Sequence, residues 1–186
     1  MSDPVTIRSA IVYVREIFEQ VALLIQTADS ILAPHGFTKT GTRNVVDTSS
    51  TVAEAKRLVP GDVFRFYVAS NTPRVLLFVC VLLDDRSGEY LPMPECLVTA
   101  GAFIHRQDKW SNDWEYWWAR WHGFHDPRHD DGRVQRVRPS EWNDGKEYPF
   151  EELLTVGRPL PEITDAQKLE ALLAPLVQGL APWRTS

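Results

Sequence analysis

The sequence predicts an α+β fold: an antiparallel sheet of four to six strands with a long N-terminal helix, a Trp-rich helix and a C-terminal helix packed on it. Three observations carry that expectation. An apolar stripe recurs at helical spacing from Ile7 to Leu32. Strand-like segments between Val63 and His105 follow one another across short polar links, which favours hairpins over crossovers. No βαβ alternation and no internal repeat is visible. The 186 residues read as a single domain, long enough to bury a core without staples.

The first element is a helix. Asp3 suits the N-cap and Pro4 the first helical position, where its missing N–H costs nothing. Ile7, Ile11, Val14, Phe18, Val21, Ile25, Ala28 and Leu32 follow in steps of four and three, flanked by Ala10, Ile17, Leu24 and Ile31. Pro34-His35-Gly36 ends the pattern. A helix of about thirty residues is roughly 45 Å long, enough to span the domain and overhang it slightly. The wide stripe favours packing on a sheet, while its strict 4-3 spacing is also that of a homodimer seam.

Thr42–Asp47 reads as a strand and Ser50–Leu58 as a short helix. Val63–Val68 alternates, with Phe64, Phe66 and Val68 on one face and Arg65 on the other. Residues 75–83 are continuously apolar, as a central strand covered on both sides would be. A further strand runs from Glu95 to His105, with small residues at its middle. Phe124–Tyr148 is polar and reads as a long loop with one edge strand. Thr164-Asp165-Ala166-Gln167 is a capping-box pattern that opens a helix on Leu169, Leu172, Leu173, Leu176, Val177 and Leu180. Pro175 should kink that helix or limit it to about three turns.

Composition narrows the function classes. A net charge of −5 argues against a binder of nucleic-acid phosphates. No apolar stretch approaches the ~18 residues that a membrane span needs. Two cysteines, Cys80 and Cys96, make no disulfide framework and no Cys-x-x-Cys. With no leader-like segment at Met1, the expected compartment is the cytoplasm.

Two clusters are candidate sites. Trp110, Trp114, Trp117, Trp118 and Trp121 occupy an arc about 100° wide on a helix. Such a face either completes the core or, through Trp110, Trp114 and Trp118, offers an aromatic platform to a partner. Arg133 and Arg136, with Arg138, mark an edge strand that faces an acidic partner or guards the sheet edge. Next to the tryptophans, His122, His125, Asp126, His129, Asp130 and Asp131 gather imidazole and carboxylate, the ligand types of zinc, manganese or iron. Gly123 and Pro127 keep this set off a single helical face.

Other catalytic signatures are thin. No phosphate-binding loop, dinucleotide fingerprint or Gly-x-Ser-x-Gly elbow occurs. Cys96 and His105 would lie some 30 Å apart on a continuous strand. Glu151-Glu152 reads as the solvated start of a helix or strand. The preferred reading is a non-enzymatic cytoplasmic binding module acting by protein–protein contact, with no cofactor. A stoichiometric inhibitor or neutraliser of a basic partner is one form of it, since an acidic surface steers basic partners. The alternative is a metal-dependent hydrolase, zinc being one candidate ion, that uses the His122–Asp131 loop. Homodimerisation through the N-terminal helix is compatible with the first reading.

Overall fold

In the computed structural model, helix α1 runs from Pro4 to Leu32, 29 residues, as the stripe predicts. The structure describes residues 4–40, 62–83, 96–106, 132–141, 148 and 150–184. The expected strand at Thr42–Asp47, the expected helix at Ser50–Leu58 and the Trp-rich helix lie outside these residues. Pro34 opens a single 3-10 turn after α1. Gly36 then takes a left-handed conformation (φ 86°), and its N–H donates to the Ala33 carbonyl at 2.9 Å. The buried side chain of Phe37 brings the chain onto the sheet at once.

The strands are β1 (Thr38–Lys39), β2 (Asp62–Val68), β3 (Val75–Leu82), β4 (Leu97–His105), β5 (Gln135–Val137) and β6 (Phe150–Pro159). They form one sheet in the order β1-β2-β3-β4-β6-β5, with every neighbouring pair antiparallel. The described part of the chain is therefore α+β. As expected, β3 is central and buried along its whole length.

The pleat of β2 sorts its residues as the alternation requires. Val63 and Tyr67 join the core under the helices, and Phe64 joins the core on the opposite face, with Phe66 and Val68 packed against it. Arg65 shares the helix side and meets Asp29 of α1 in an ion pair. The Tyr67 hydroxyl donates to the same carboxylate at 2.9 Å. Burial, reinforced by the neighbouring Asp29 charge, pushes the Tyr67 phenol far up, so it stays a donor at any physiological pH. This clip sets the rotation of α1 over β2. Replacing Asp29 by Ala is expected to cost about 1–2 kcal/mol, a figure discounted for partial exposure of the pair. Urea unfolding should show that loss, and Asp29→Asn should lose less because it still accepts from Tyr67.

Each sheet face carries a core. On the helix side, Val75, Leu77, Val79 and Val81 meet Val98, Ala100, Ala102 and Ile104 beneath α1 and the C-terminal helix. The other side is aromatic. Ring centroids lie 6.5 Å apart for Phe66–Phe78, 5.4 Å for Phe78–Phe103 and 4.9 Å for Phe103–Phe150. Gly101 sits opposite Phe78 in the β3–β4 register, whereas its small neighbours Ala100 and Ala102 face the helices.

β6 is a ten-residue strand where the sequence marks only Glu151-Glu152 as the start of a helix or strand. His105 pairs with Phe150 but Ile104 pairs with Glu152, so Glu151 is an extra residue at a β-bulge. The bulge puts Phe150 and Leu153 in the same aromatic core although they are three residues apart. Glu151 stays exposed and accepts from Arg74 at 2.6 Å, whereas Glu152 is buried. The C-terminal helix, α2 (Ala166–Gly179), is capped by Asp165, whose carboxylate accepts from the Lys168 N–H at 2.9 Å. The cap is thus one residue later than a box on Thr164 implies. Pro175 does not end α2. It lies on the exposed side, as does Ala171, whose carbonyl loses its helical partner to the proline.

Candidate functional site

The two halves of α1 have opposite environments. Val21, Ile25, Ala28 and Leu32 are buried against the sheet and α2, with Ile25 and Leu32 at 0% exposure. From Val5 to Glu16 every residue is exposed. Val5 is 70% exposed, Ile11 57% and Tyr13 65%, and Ile7, Val12 and Val14 are open as well. The stripe that closes the core thus continues past the edge of the sheet along about three turns of helix, roughly 18 Å. Ile7, Ile11 and Val14 share one side of the helix, and exposed apolar surface of this kind is uncommon on a monomer. Among the described residues no helix is long and apolar enough to cross a membrane.

Where α1 leaves the sheet, a groove of about 610 Å³ opens between it and the start of α2. Ile17 and Leu24 of α1 form one wall, and Leu160, Ile163 and Leu169 form the other. Leu160 and Ile163 are placed there by a 3-10 turn that begins directly after Pro159. Glu16 and Asp165 lie at its rim. The bond from the Lys168 N–H holds Asp165 below the usual carboxylate range, so that rim stays anionic. Chemically, the groove suits an apolar anchor with polar or basic surroundings. Among the described residues no three His, Cys, Asp or Glu side chains gather in a way that could hold a metal ion.

The residues singled out in the sequence divide into two sets. Trp110, Trp114 and Trp118, and the loop with His122, His125, Asp126 and His129, lie outside the described residues. Arg133, Arg136 and Arg138 are all exposed at or beside β5, which is an edge strand as expected. Arg136 is engaged within the chain. Its guanidinium lies 3.4 Å from the Glu152 carboxylate and 5.6 Å from the centre of the Trp183 ring. Cys96 and His105 flank or end β4 at opposite extremities, and the Cys96 thiol lies 3.4 Å from the Leu83 carbonyl.

His105 is the one buried histidine among the described residues. Its backbone exchanges hydrogen bonds with Arg74, whose Nε donates to the His105 carbonyl at 2.7 Å. Desolvation, and then the Arg74 charge, lower its pKa from 6.5 to about 4. The unfolded chain therefore takes up this proton first on acidification. The contribution to stability is complete above pH 6.5, falls as the pH drops, and is gone near pH 4. On the order of 3 kcal/mol is expected to be lost across that window. Urea midpoints at successive pH values should show this slope, and His105→Gln should flatten it.

The projecting half of α1 was legible as a 4-3 stripe, but its exposure was not, because both readings of the stripe use the same residues. The groove had no sequence signal, since its two walls are more than a hundred residues apart along the chain. No family model matches this chain, and no curated protein or solved structure matches it either.

Proposed function

We propose that this protein is a non-enzymatic binding module acting by protein–protein contact, with the projecting half of α1 and the adjoining groove as its docking surface. The observation that carries the reading is the run of exposed apolar side chains from Val5 to Val14. Leaving them in water is unfavourable by about 25 cal/mol for each Å² of apolar surface, and a docked partner removes that cost. The net charge of −5 adds long-range attraction for a basic partner, as a neutraliser of such a protein would use.

A photo-reactive residue in place of Ile11 tests the reading in cells. The expected result is a discrete cross-linked protein product that disappears when Val14→Asp is added. A control probe at Glu170, on the exposed side of α2, should give no such product. Equal labelling from both positions, or no product from either, overturns the assignment of this surface. For the basic-partner form, added salt should slow association with the captured protein, and an unchanged rate rejects electrostatic steering.

A further inference from the structure

We propose that the occupant of this surface is a second copy of the chain, its α1 lying antiparallel across the first about a two-fold axis midway between Ile11 and Val14. The inference rests on the binding-module reading but replaces its basic-partner form, since a second copy carries the same net charge of −5. Three stripe residues are left open by the body of the protein, and a fourth, packed at the rim of the core, is only partly covered. Ile7, Ile11 and Val14 are exposed and Phe18 is half-buried, whereas the next, Val21, is buried. The four are symmetric about one point. An antiparallel two-fold there sets Ile11 against Val14 of the second copy and Ile7 against its Phe18. Within the stripe each open residue meets an open or part-covered one, the self-complementarity that a two-fold interface requires.

Orientation follows from what lies beyond Val21. There the stripe faces the protein's own sheet, so a parallel pairing in register would drive the two sheets into one another. The antiparallel arrangement points the two bodies away from each other. It also brings the first turn of the second helix beside Gln20, at the wall of the groove. One flank of the seam, with Thr6, Ala10, Tyr13 and Ile17, carries no charge. On the other, Arg8 comes to lie between Glu19 and Arg15 of the second copy, so an attraction and a like-charge contact offset each other and the seam rests on its apolar residues. The contact covers on the order of 1,000 Å² in total, the lower end of specific interfaces, which makes it a weak and concentration-dependent dimer.

Sedimentation equilibrium of the full chain, from low to high micromolar concentration, is the test. A monomer–dimer equilibrium is expected, weakened at least about tenfold by Ile11→Asp or Val14→Asp, since truncating a central anchor typically has that effect. Both positions are exposed, so at low protein concentration the variants should keep the wild-type circular dichroism and melting behaviour. Orientation is read by mixing Ile11→Cys and Val14→Cys proteins in a Cys96→Ser background under mild oxidation. The mixed disulfide should form in preference to either homodisulfide. Preferential Ile11→Cys homodisulfides, or a dimer indifferent to both Asp variants, overturn the proposal. A chain that stays monomeric at every concentration overturns it too, but leaves the docking surface intact if the photo-cross-link at position 11 still captures a different protein. Neither dimer nor cross-link overturns both.

Discussion

Gly101→Ala is expected to destabilise the protein by about 3 kcal/mol or more, because a methyl group has no room at that point of the sheet. Gly101 lies in the middle of β4, opposite Phe78 of β3 and Thr155 of β6. A Cβ there would overlap the Phe78 ring and sit 2.6 Å from the Leu154 carbonyl oxygen. The ring is packed between Phe66 and Phe103 and has little freedom to step aside. The carbonyl belongs to the neighbouring strand, so relieving that overlap means displacing β4 from β6. Phe78→Ala in the Gly101→Ala background removes the first clash and not the second, and it adds a cavity. Only partial rescue is expected in a double-mutant cycle read by urea unfolding. A Gly101→Ala protein within about 0.5 kcal/mol of wild type would show that the two strands separate easily here.

Ile25→Ala and Ile11→Ala should differ widely although the residues are the same type on the same stripe, two heptads apart. Ile25 is fully enclosed by the sheet and α2, so its truncation leaves a cavity and is expected to cost about 2–5 kcal/mol. Ile11 is mostly in water, and its truncation should change stability by less than about 0.5 kcal/mol at low protein concentration. At high concentration Ile11→Ala should also remove whatever stabilisation self-association adds, so the gap between the two variants should narrow. Equal costs at low concentration would mean that the first turns of α1 are packed in solution, and the docking surface would be lost.

Much of the architecture was legible in the residues because local signals and tertiary placement agree. The 4-3 stripe with Pro34 and Gly36 gave α1 its length and its end. Alternation gave β2 its two faces, and the unbroken aliphatic run identified β3 as central. β6 was the element hardest to see. Its period-two pattern is interrupted by the bulge at Glu151, and the Glu151-Glu152 pair imitates a solvated terminus. In the fold one carboxylate meets Arg74 and the other is enclosed beside Arg136, contacts made by residues far away in sequence. The order β4-β6-β5 likewise depends on long-range pairing that no local pattern encodes.

Periodicity and turn chemistry in this chain specify which residues form helices and strands and which faces are apolar, since both follow from geometry within a few residues. They do not say where an apolar stripe stops being covered. That depends on the width of the sheet compared with the length of α1, a property of the assembled layers. Only in the folded molecule does one continuous stripe become a core from Val21 onward and an open surface before Glu16. The candidate function rests on that division.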